Sequence, residues 1–255
     1  FMSRWLSTRI LLALVTCILA TSASAITLDL TTPESAGWIF EAYFVQFDPE
    51  GAQGTGNFDS FLRVQANTTE RGYNTDGPLE FDTKAGKWTH VLDLQSIDRN
   101  VPIVDGSSVP GLTAGVQYRE FLLDINETKV SNLLSLDELR IFVSDKPDNT
   151  GYPNLGTEIY NLGEGNSVIL DYNLNSGSGH GDYAMYLPTT LFTDRYVYFY
   201  CAFGYQGGSC ESSDGFEEWG VRTGGTSTVP EPSSIVAILC GTITGLGGLI
   251  RRKKV

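Results

Sequence analysis

The chain has 255 residues, of which 41% are hydrophobic and 11% aromatic, a composition typical of a folded protein. Its formal net charge is −13, but residues 26–228 alone hold 11 basic and 29 acidic residues, a net of −18. This balance excludes nucleic acid and anionic lipid as default partners of that segment, because binding to either begins with a basic patch. The segment is long enough for one domain with a sizeable core.

The first 25 residues have the organisation of a secretory signal peptide. Arg4 and Arg9 make the start basic, Ile10–Ala20 is an apolar run, and Ala23-Ser24-Ala25 supplies the small residues that signal peptidase requires. The apolar run has 11 residues, which is short for a helix that crosses ~30 Å of hydrocarbon. We therefore expect export and cleavage after Ala25.

Residues 26–222 are predicted to form one all-β domain. Hydrophobic residues alternate with period 2, and clusters of Gly, Asn, Asp and Pro separate the alternating segments. Many short strands with regular turns predict an antiparallel β-sandwich, jelly-roll-like in its connections. The predicted strands are Trp38–Phe47, Phe58–Ala66, Trp88–Leu94, Val116–Ile125, Glu138–Ser144, Ser167–Asn173, Arg195–Phe203 and Phe216–Val221.

The strand Arg195–Phe203 alternates between two chemically different faces. The face predicted to point into the core carries Val197, Phe199 and Cys201. The other face carries Tyr196, Tyr198 and Tyr200. A row of tyrosines can stack on sugar rings, but it is also typical of the half-buried outer face of a sheet. Both interpretations stay open.

Two of the four cysteines, Cys201 and Cys210, fall in the predicted domain. Cys17 belongs to the signal peptide and Cys240 to the apolar C-terminal segment. In an oxidising compartment, two cysteines nine positions apart across a glycine-containing loop predict one disulfide. Their number and spacing exclude a metal site of the CxxC type.

A candidate calcium site begins in the predicted strand Ser167–Asn173 and continues into the glycine-rich segment after it. Asp171, Asn173 and Asn175 share one face of an extended segment, and Asp182 follows Asp171 by 11 residues, as the last ligand of a calcium loop follows the first. Ser176 stands where an EF-hand has glycine, and Asp182 replaces the usual glutamate. The alternative is a turn in which Asn and Gly adopt special backbone angles. No other cofactor is indicated.

The sequence contains no pattern of catalytic residues, and we predict that the protein is not an enzyme. The only histidines are His90 and His180, and no G-x-S-x-G motif is present. Glu217 and Glu218 are adjacent, so in a strand they point to opposite faces and cannot act as the facing pair of a glycosidase.

The C-terminus combines a tripeptide, an apolar segment and a basic end. After the flexible tether Thr223–Thr228 comes a run from Val229 that contains Pro230, Glu231 and Pro232. Ile235–Ile250 is apolar over 16 residues and, with the two preceding serines, reaches the lower limit for a transmembrane helix. The basic residues at the end are Arg251, Arg252, Lys253 and Lys254. They place this end in the cytoplasm, which leaves the acidic domain across the inner membrane.

This order of features resembles the PEP-CTERM sorting signal of Gram-negative bacteria. The resemblance covers residues 229–255, and Pro230, Glu231 and Pro232 match its motif. It implies that an exosortase, an integral membrane protein, recognises the signal and cleaves near it. The catalytic residues of that step belong to the exosortase. The implied location is the inner membrane for the precursor, then the cell surface or extracellular matrix.

The middle of the chain is similar to domains that often precede this signal. The resemblance rests on segments such as Glu70–Asp76, Leu123–Glu127 and Asn175–Asp182, and it carries no established catalytic residues. We therefore predict an exported, non-enzymatic surface or matrix protein, with exopolysaccharide as a candidate partner. The alternative is a carbohydrate-binding or calcium-dependent adhesion module.

Overall fold

A computed structural model describes residues 24–46, 58–96, 101–177, 179 and 181–222. Their regular structure consists of β-strands and short 3₁₀ turns, so the all-β prediction is confirmed. Among them there is no helix whose length and apolar character would suffice to cross a membrane. The predicted tether and transmembrane segment, and nearly all of the signal peptide, lie outside the described residues.

The strands are numbered in chain order. Those of the first half are β1 (Thr27–Asp29), β2 (Ala36–Ile39), β3 (Ala42–Gln46), β4 (Phe58–Val64), β5 (Asn67–Thr68), β6 (Glu70–Tyr73), β7 (Leu92–Asp93) and β8 (Ile103–Asp105). Those of the second half are β9 (Gln117–Asp124), β10 (Leu133–Ser144), β11 (Thr157–Asn161), β12 (Ser167–Asp171), β13 (Tyr183–Pro188), β14 (Tyr196–Phe203), β15 (Ser212–Ser213) and β16 (Glu217–Arg222).

These strands form two large sheets and one small sheet. Sheet I has the order β1-β12-β10-β14-β6, with β11 beside β10 and β7 beside β14. Sheet II has the order β2-β3-β13-β9-β16-β4, with β8 beside β9. Strands β5 and β15 pair as the small sheet. All these pairings are antiparallel except that of β1 with β12. Many neighbours are distant in sequence, so the chain passes repeatedly from one large sheet to the other.

The two large sheets share one apolar core. Phe199 of β14 in sheet I contacts Phe61, Phe121 and Trp219 of sheet II, with ring centroids 5.0, 4.8 and 5.4 Å apart. Aromatic pairs in this distance range add to the free energy gained by burying their area. The residues predicted to face the core all lie in it, fully buried: Val197, Phe199 and Cys201.

The sequence patterns located most strands but missed some of their boundaries. The segment Trp38–Phe47, predicted as one strand, contains the hairpin β2–β3, which turns at Phe40 and Glu41. Phe40 has a φ of 52°, a conformation that a large aromatic residue rarely adopts, so its side chain does not mark a turn. Strand β13 was not predicted. Trp88–Leu94 forms only the two-residue strand β7.

The segment after β6 anchors the edge of sheet I. Asn74 is fully buried, and its amide nitrogen donates to the carbonyl oxygens of His90 (3.1 Å) and Val197 (3.0 Å). Its amide oxygen accepts from the Phe199 backbone N–H at 2.6 Å. Thr75 donates its hydroxyl to the carbonyl oxygen of Asn149 at 2.7 Å. Asn74 and Thr75 therefore have a structural role, because they form hydrogen bonds with backbone groups of β14 and of two loops.

Candidate functional site

The residues of the predicted sorting signal lie outside the described part of the chain. They are Pro230, Glu231, Pro232, Arg251, Arg252, Lys253 and Lys254. Recognition by an exosortase therefore stays a prediction from the sequence.

Asp171, the first residue of the predicted calcium set, caps a turn. One of its carboxylate oxygens, Oδ1, accepts hydrogen bonds from the Asn173 backbone N–H (2.8 Å) and from the side-chain amide of Asn132 (2.5 Å). Asn173 and the two residues around it form a 3₁₀ turn directly after β12. An aspartate at the start of a short turn commonly accepts hydrogen bonds in this way.

Asp182, the last residue of that set, is buried next to a different aspartate. It is 1% exposed, and its Oδ2 accepts from the Ile125 backbone N–H at 2.8 Å. Burial raises the pKa of Asp182 well above its ordinary value, and the nearby carboxylate of Asp124 raises it further. Asp124 in turn accepts from the Gly179 backbone N–H at 2.6 Å. The structure thus groups Asp182 with Asp124.

The four predicted calcium residues differ in burial and in hydrogen-bonding partners. Asp171 and Asp182 have separate hydrogen-bonding partners, and Asn175 is buried, with 7% of its surface exposed. Among the described residues, no group of three or more His, Cys, Asp or Glu side chains is placed so that it could hold a metal ion. Calcium binding by Asp171, Asn173, Asn175 and Asp182 stays a prediction.

The predicted disulfide between Cys201 and Cys210 is wrong in this structure, where both are free cysteines. Cys201 is on the core face of β14, fully buried, with its thiol 3.9 Å from the carbonyl oxygen of Gly72. Cys210 is half-buried in a turn, with its sulfur 3.9 Å from the Ser209 hydroxyl. Sequence spacing was a poor guide here because β14 directs Cys201 into the core between the sheets.

The tyrosine row on β14 does not offer a sugar-stacking surface. Tyr198 and Tyr200 are 0% and 2% exposed. Tyr152, in the segment between β10 and β11, stacks on Tyr200 with centroids 3.7 Å apart and an interplanar angle of 11°. Tyr198 donates its hydroxyl to the carbonyl oxygen of Lys146, in the same segment. The interpretation as a covered sheet face is the one that agrees with the structure.

Three glutamates meet at one end of the core, and we call them the glutamate cluster. Glu70 begins β6 in sheet I, Glu217 begins β16 in sheet II, and Glu127 lies in the segment after β9. Glu70 and Glu217 are 0% exposed and Glu127 is 4% exposed. The carboxyl groups of Glu70 and Glu127 both lie within hydrogen-bonding reach of the carboxyl group of Glu217. The two sheets and a loop therefore each place one carboxyl group in the same buried space.

Few hydrogen-bond donors contact the carboxyl oxygens of this cluster. Oε2 of Glu70 accepts from the Ala66 backbone N–H (2.9 Å), and Oε2 of Glu127 accepts from the Ser213 backbone N–H (2.7 Å). The other four carboxyl oxygens, both on Glu217 and Oε1 on the other two, are buried and accept no hydrogen bond from an N–H or hydroxyl among the described residues. No described ion pair includes these glutamates. Such a buried charge is unfavourable unless protons or a cation neutralise it.

The electrostatics of the cluster favour proton uptake. Burial raises the pKa of Glu70 to about 7, against hydrogen bonds from Glu217 and Ala66 that lower it. Burial also raises the pKa of Glu217 well above its ordinary value, and the carboxylates of Glu70 and Glu127 raise it further. The Cys201 thiol faces the same space, where burial and the carboxylates of Glu70 and Glu217 raise its pKa. Without a cation, the cluster therefore holds protons near neutral pH.

Sequence reasoning missed this cluster because its members are far apart along the chain. Glu217 stands next to Glu218 in the sequence, and the two side chains have different partners, as their predicted opposite orientations require: Glu218 forms an ion pair with Arg63 at 2.7 Å, whereas Glu217 belongs to the cluster. The alternation of β16 indicates that Glu217 points inward, because it lies on the same face as the core residue Trp219. Glu70 and Glu127 fall in the segments Glu70–Asp76 and Leu123–Glu127 that carry the resemblance, but nothing in the sequence connects them with Glu217.

Comparisons with known proteins identify no relative: no family model, no curated protein and no solved structure matches the chain. Its function is therefore inferred from its own residues.

Proposed function

We propose that the chain is an exported, non-enzymatic protein of the cell surface or extracellular matrix of a Gram-negative bacterium, delivered through a PEP-CTERM sorting signal. The observation that carries this proposal is the order of features at the C-terminus: Pro230-Glu231-Pro232, the apolar segment Ile235–Ile250, and the basic residues Arg251–Lys254. The predicted signal peptide supports it, because export is a precondition for this type of sorting.

The proposed mechanism is delivery in three steps. The signal peptide directs the chain across the inner membrane. The apolar segment Ile235–Ile250 then holds the precursor there, with the basic end in the cytoplasm. An exosortase finally cleaves near Pro230–Pro232 and passes the domain to the surface, so the chemistry of cleavage belongs to that partner.

The domain that is delivered suits an extracellular polymer layer. We propose that the two large sheets with their shared core form a jelly-roll-like sandwich, whose last strand β16 ends at Arg222, directly before the tether. The net charge of −18 over residues 26–228 favours solubility and attracts divalent cations. Adhesion or matrix assembly is the role that we propose for it.

One observation favours the carbohydrate-binding alternative at a place other than the tyrosine row. Trp38 on β2 is 40% exposed, and its ring lies 5.0 Å from the Tyr43 ring and 6.3 Å from the Tyr118 ring, centroid to centroid. Its indole N–H donates to the carbonyl oxygen of Gly111 at 3.3 Å, which holds the ring in place. A fixed, exposed indole on an aromatic base is the kind of surface that stacks on a sugar ring.

Binding of the full chain to an acidic and to a neutral bacterial exopolysaccharide tests this alternative. If it is right, Trp38→Ala weakens binding at least tenfold, while Phe81→Ala, which removes another exposed ring (44% exposed), leaves it unchanged. The alternative is excluded if neither polysaccharide binds, or if the two variants bind as tightly as the unsubstituted chain.

Coexpression of the chain with an exosortase in a Gram-negative host tests the proposed sorting. Replacing Pro230, Glu231 and Pro232 together by alanine is expected to leave a full-length form in the membrane fraction. The matched control replaces Thr226, Ser227 and Thr228 in the tether by alanine and is expected to be cleaved as the unsubstituted chain is. Unchanged cleavage and release of the first variant would overturn the proposal.

A further inference from the structure

We propose that the glutamate cluster is a calcium site, in which Glu70, Glu127 and Glu217 bind one Ca²⁺ through carboxylate oxygens that accept no hydrogen bond. This site is separate from the set predicted at Asp171–Asp182. It does not depend on the sorting signal, so either proposal can fail while the other stands.

The state of Glu217 distinguishes this cluster from an ordinary group of acidic residues. Acidic side chains on a surface are solvated, but Glu217 is 0% exposed and both of its oxygens lack a donor among the described residues. Buried polar atoms in folded proteins nearly always have a hydrogen-bonding partner. The carboxyl groups of Glu70 and Glu127 lie within hydrogen-bonding reach of it, and both disfavour its charged form. A bound cation would supply the positive partner that the Glu217 carboxylate lacks.

The charge of the site points to a divalent ion. Three ionised carboxylates carry a formal charge of −3, and no ion pair among the described residues offsets it. One Ca²⁺ offsets two of the three negative charges and replaces protons that the cluster otherwise holds. Binding therefore exchanges protons for the ion, and the protons are released to solvent.

The ligand chemistry favours calcium over other common ions. All the oxygens come from carboxylates, and hard cations take oxygen ligands. Magnesium requires near-ideal octahedral geometry and retains several waters, which a fully buried site does not suit. Zinc prefers nitrogen and sulfur ligands, and the one thiol here, on Cys201, lies 3.9 Å from the Gly72 carbonyl oxygen. Calcium takes about six to eight oxygen ligands in a flexible geometry, so the four carboxylate oxygens that accept no hydrogen bond would be supplemented by further oxygens such as backbone carbonyl groups.

In the part of the chain that the structure describes, no three or more His, Cys, Asp or Glu side chains are placed so that they could hold a metal ion as they stand. The proposal therefore includes a movement of the carboxylate oxygens toward the ion. Glu70 and Glu217 start strands in different sheets and are fixed by pairing with Phe203 and Val64. Glu127 lies between β9 and β10, where a small backbone shift is less costly than in a paired strand. A bound ion would therefore link sheet I, sheet II and this connecting segment.

Calcium titration of the purified full-length chain, stripped with a chelator, tests the proposal directly. We expect one Ca²⁺ per chain, proton release that is revealed by titrating in two buffers of different ionisation enthalpy, and weaker binding of Mg²⁺. At a calcium concentration ~100-fold above Kd, we expect the melting temperature to rise by about 5–10 °C. Zinc chloride serves as a second probe, and tighter binding of zinc than of calcium would overturn the assignment.

Three variants locate the site. Glu217→Gln keeps the volume and removes one ligand charge, and we expect it to lower calcium affinity at least tenfold. Asp182→Asn makes the same kind of change at the other buried acidic pair, and Glu164→Gln makes it on the surface. The control Glu164→Gln is expected to bind calcium within twofold of the unsubstituted chain, whereas a loss of binding in Asp182→Asn would assign the ion to the predicted set that contains Asp182. Should Glu217→Gln fail to fold, Glu70→Gln takes its place with the same expected loss.

The proposal is overturned by any of three results. One is the absence of calcium binding up to about 10 mM, beyond the range typical of extracellular calcium modules. Another is unchanged affinity in the Glu217→Gln and Glu70→Gln variants. The third is a loss of binding confined to Asp182→Asn, which would place the ion at Asp182.

Discussion

Arg63 and Glu218 form a 2.7 Å ion pair across β4 and β16, and the Arg63 guanidinium lies between the rings of Trp88 (4.0 Å to the centroid) and Phe216 (4.2 Å). The side chains are only 17% and 5% exposed. Glu218 therefore has a positive partner, whereas Glu217, one residue earlier and on the opposite face, has none among the described residues. This contrast is the strongest reason to regard the glutamate cluster as functional.

Removal of the Arg63 charge is predicted to destabilise the domain strongly. Arg63→Met leaves Glu218 buried without its counter-ion, and we expect the free energy of unfolding to fall by about 3–5 kcal/mol. The control is Arg195→Met, which breaks the more exposed pair with Asp93 and should cost less than ~1 kcal/mol. Urea unfolding followed by tryptophan fluorescence measures both.

A double variant separates the lost charge from the lost packing. Adding Glu218→Gln to Arg63→Met removes the stranded carboxylate, so part of the lost stability should return. If Arg63→Met lowers the free energy of unfolding no more than Arg195→Met does, the Arg63–Glu218 pair stabilises the domain less than its burial indicates.

Asn74 is predicted to be a structural residue that tolerates no change of hydrogen-bonding pattern. Asn74→Asp preserves the size and the bond from the Phe199 N–H, but it turns the donor to the His90 and Val197 carbonyl oxygens into an acceptor. We expect a loss of about 2–4 kcal/mol, because two buried acceptors lose their donor and a charge is buried. Thermal melts compare it with Asn154→Asp, at an exposed turn. Equal melting temperatures in the two variants would contradict this role.

The sequence correctly predicted which face of strand β14 points into the core. It did not predict which distant strands and segments contact each other. Period 2 correctly assigned Val197, Phe199 and Cys201 to the core, because alternation in a strand is a local property. The cover of Tyr200 by Tyr152 depends on how a distant segment folds over the sheet, which alternation does not encode. The same holds for the glutamate cluster, whose members meet only through pairing between sequence-distant strands.

Tyr200 is predicted to act through packing and not through ligand binding. Tyr200→Ala removes a ring that is 2% exposed and leaves Tyr152 without its stacking partner, so we expect a loss of about 3–5 kcal/mol. Binding to exopolysaccharide, measured at a temperature where the variant is folded, should equal that of the unsubstituted chain. The milder variant Tyr200→Phe keeps the stack and should cost less than half as much. A specific loss of sugar binding in Tyr200→Phe would restore the tyrosine row as a binding surface.

The two cysteines of the domain are predicted to differ in reactivity. Cys201 is fully buried and its thiol pKa is raised well above the ordinary value, so we expect alkylation only after unfolding. Cys210 is half-buried and should react in the native protein. Mass spectrometry of peptides after timed iodoacetamide treatment reads each site separately. A peptide pair joined by a Cys201–Cys210 bond, abolished in Cys210→Ser, would contradict the free-thiol structure.

Stability of the chelated protein is predicted to fall as pH rises through neutrality. Glu70 has an ordinary pKa of 4.5 in the unfolded chain and about 7 in the fold, and the pKa of Glu217 is raised as well. The folded state therefore keeps protons that the unfolded state has released, and the stabilisation is fully present only below about pH 4.5 and lost as pH rises through about 7. The buried Asp182, whose pKa is also raised, contributes with the same sign.

Melting temperatures between about pH 5 and pH 8 measure this dependence. Glu217→Gln should melt at a higher temperature than the unsubstituted chain at pH 8 in chelator, since it carries one buried charge fewer, and its pH slope should be shallower. Glu164→Gln, an exposed change of the same charge, should leave the slope unchanged. Calcium added at pH 8 should raise the melting temperature of the unsubstituted chain and not that of Glu217→Gln. A chelated protein whose stability is constant or rises over this range would show that the glutamate cluster does not hold the protons that its burial requires.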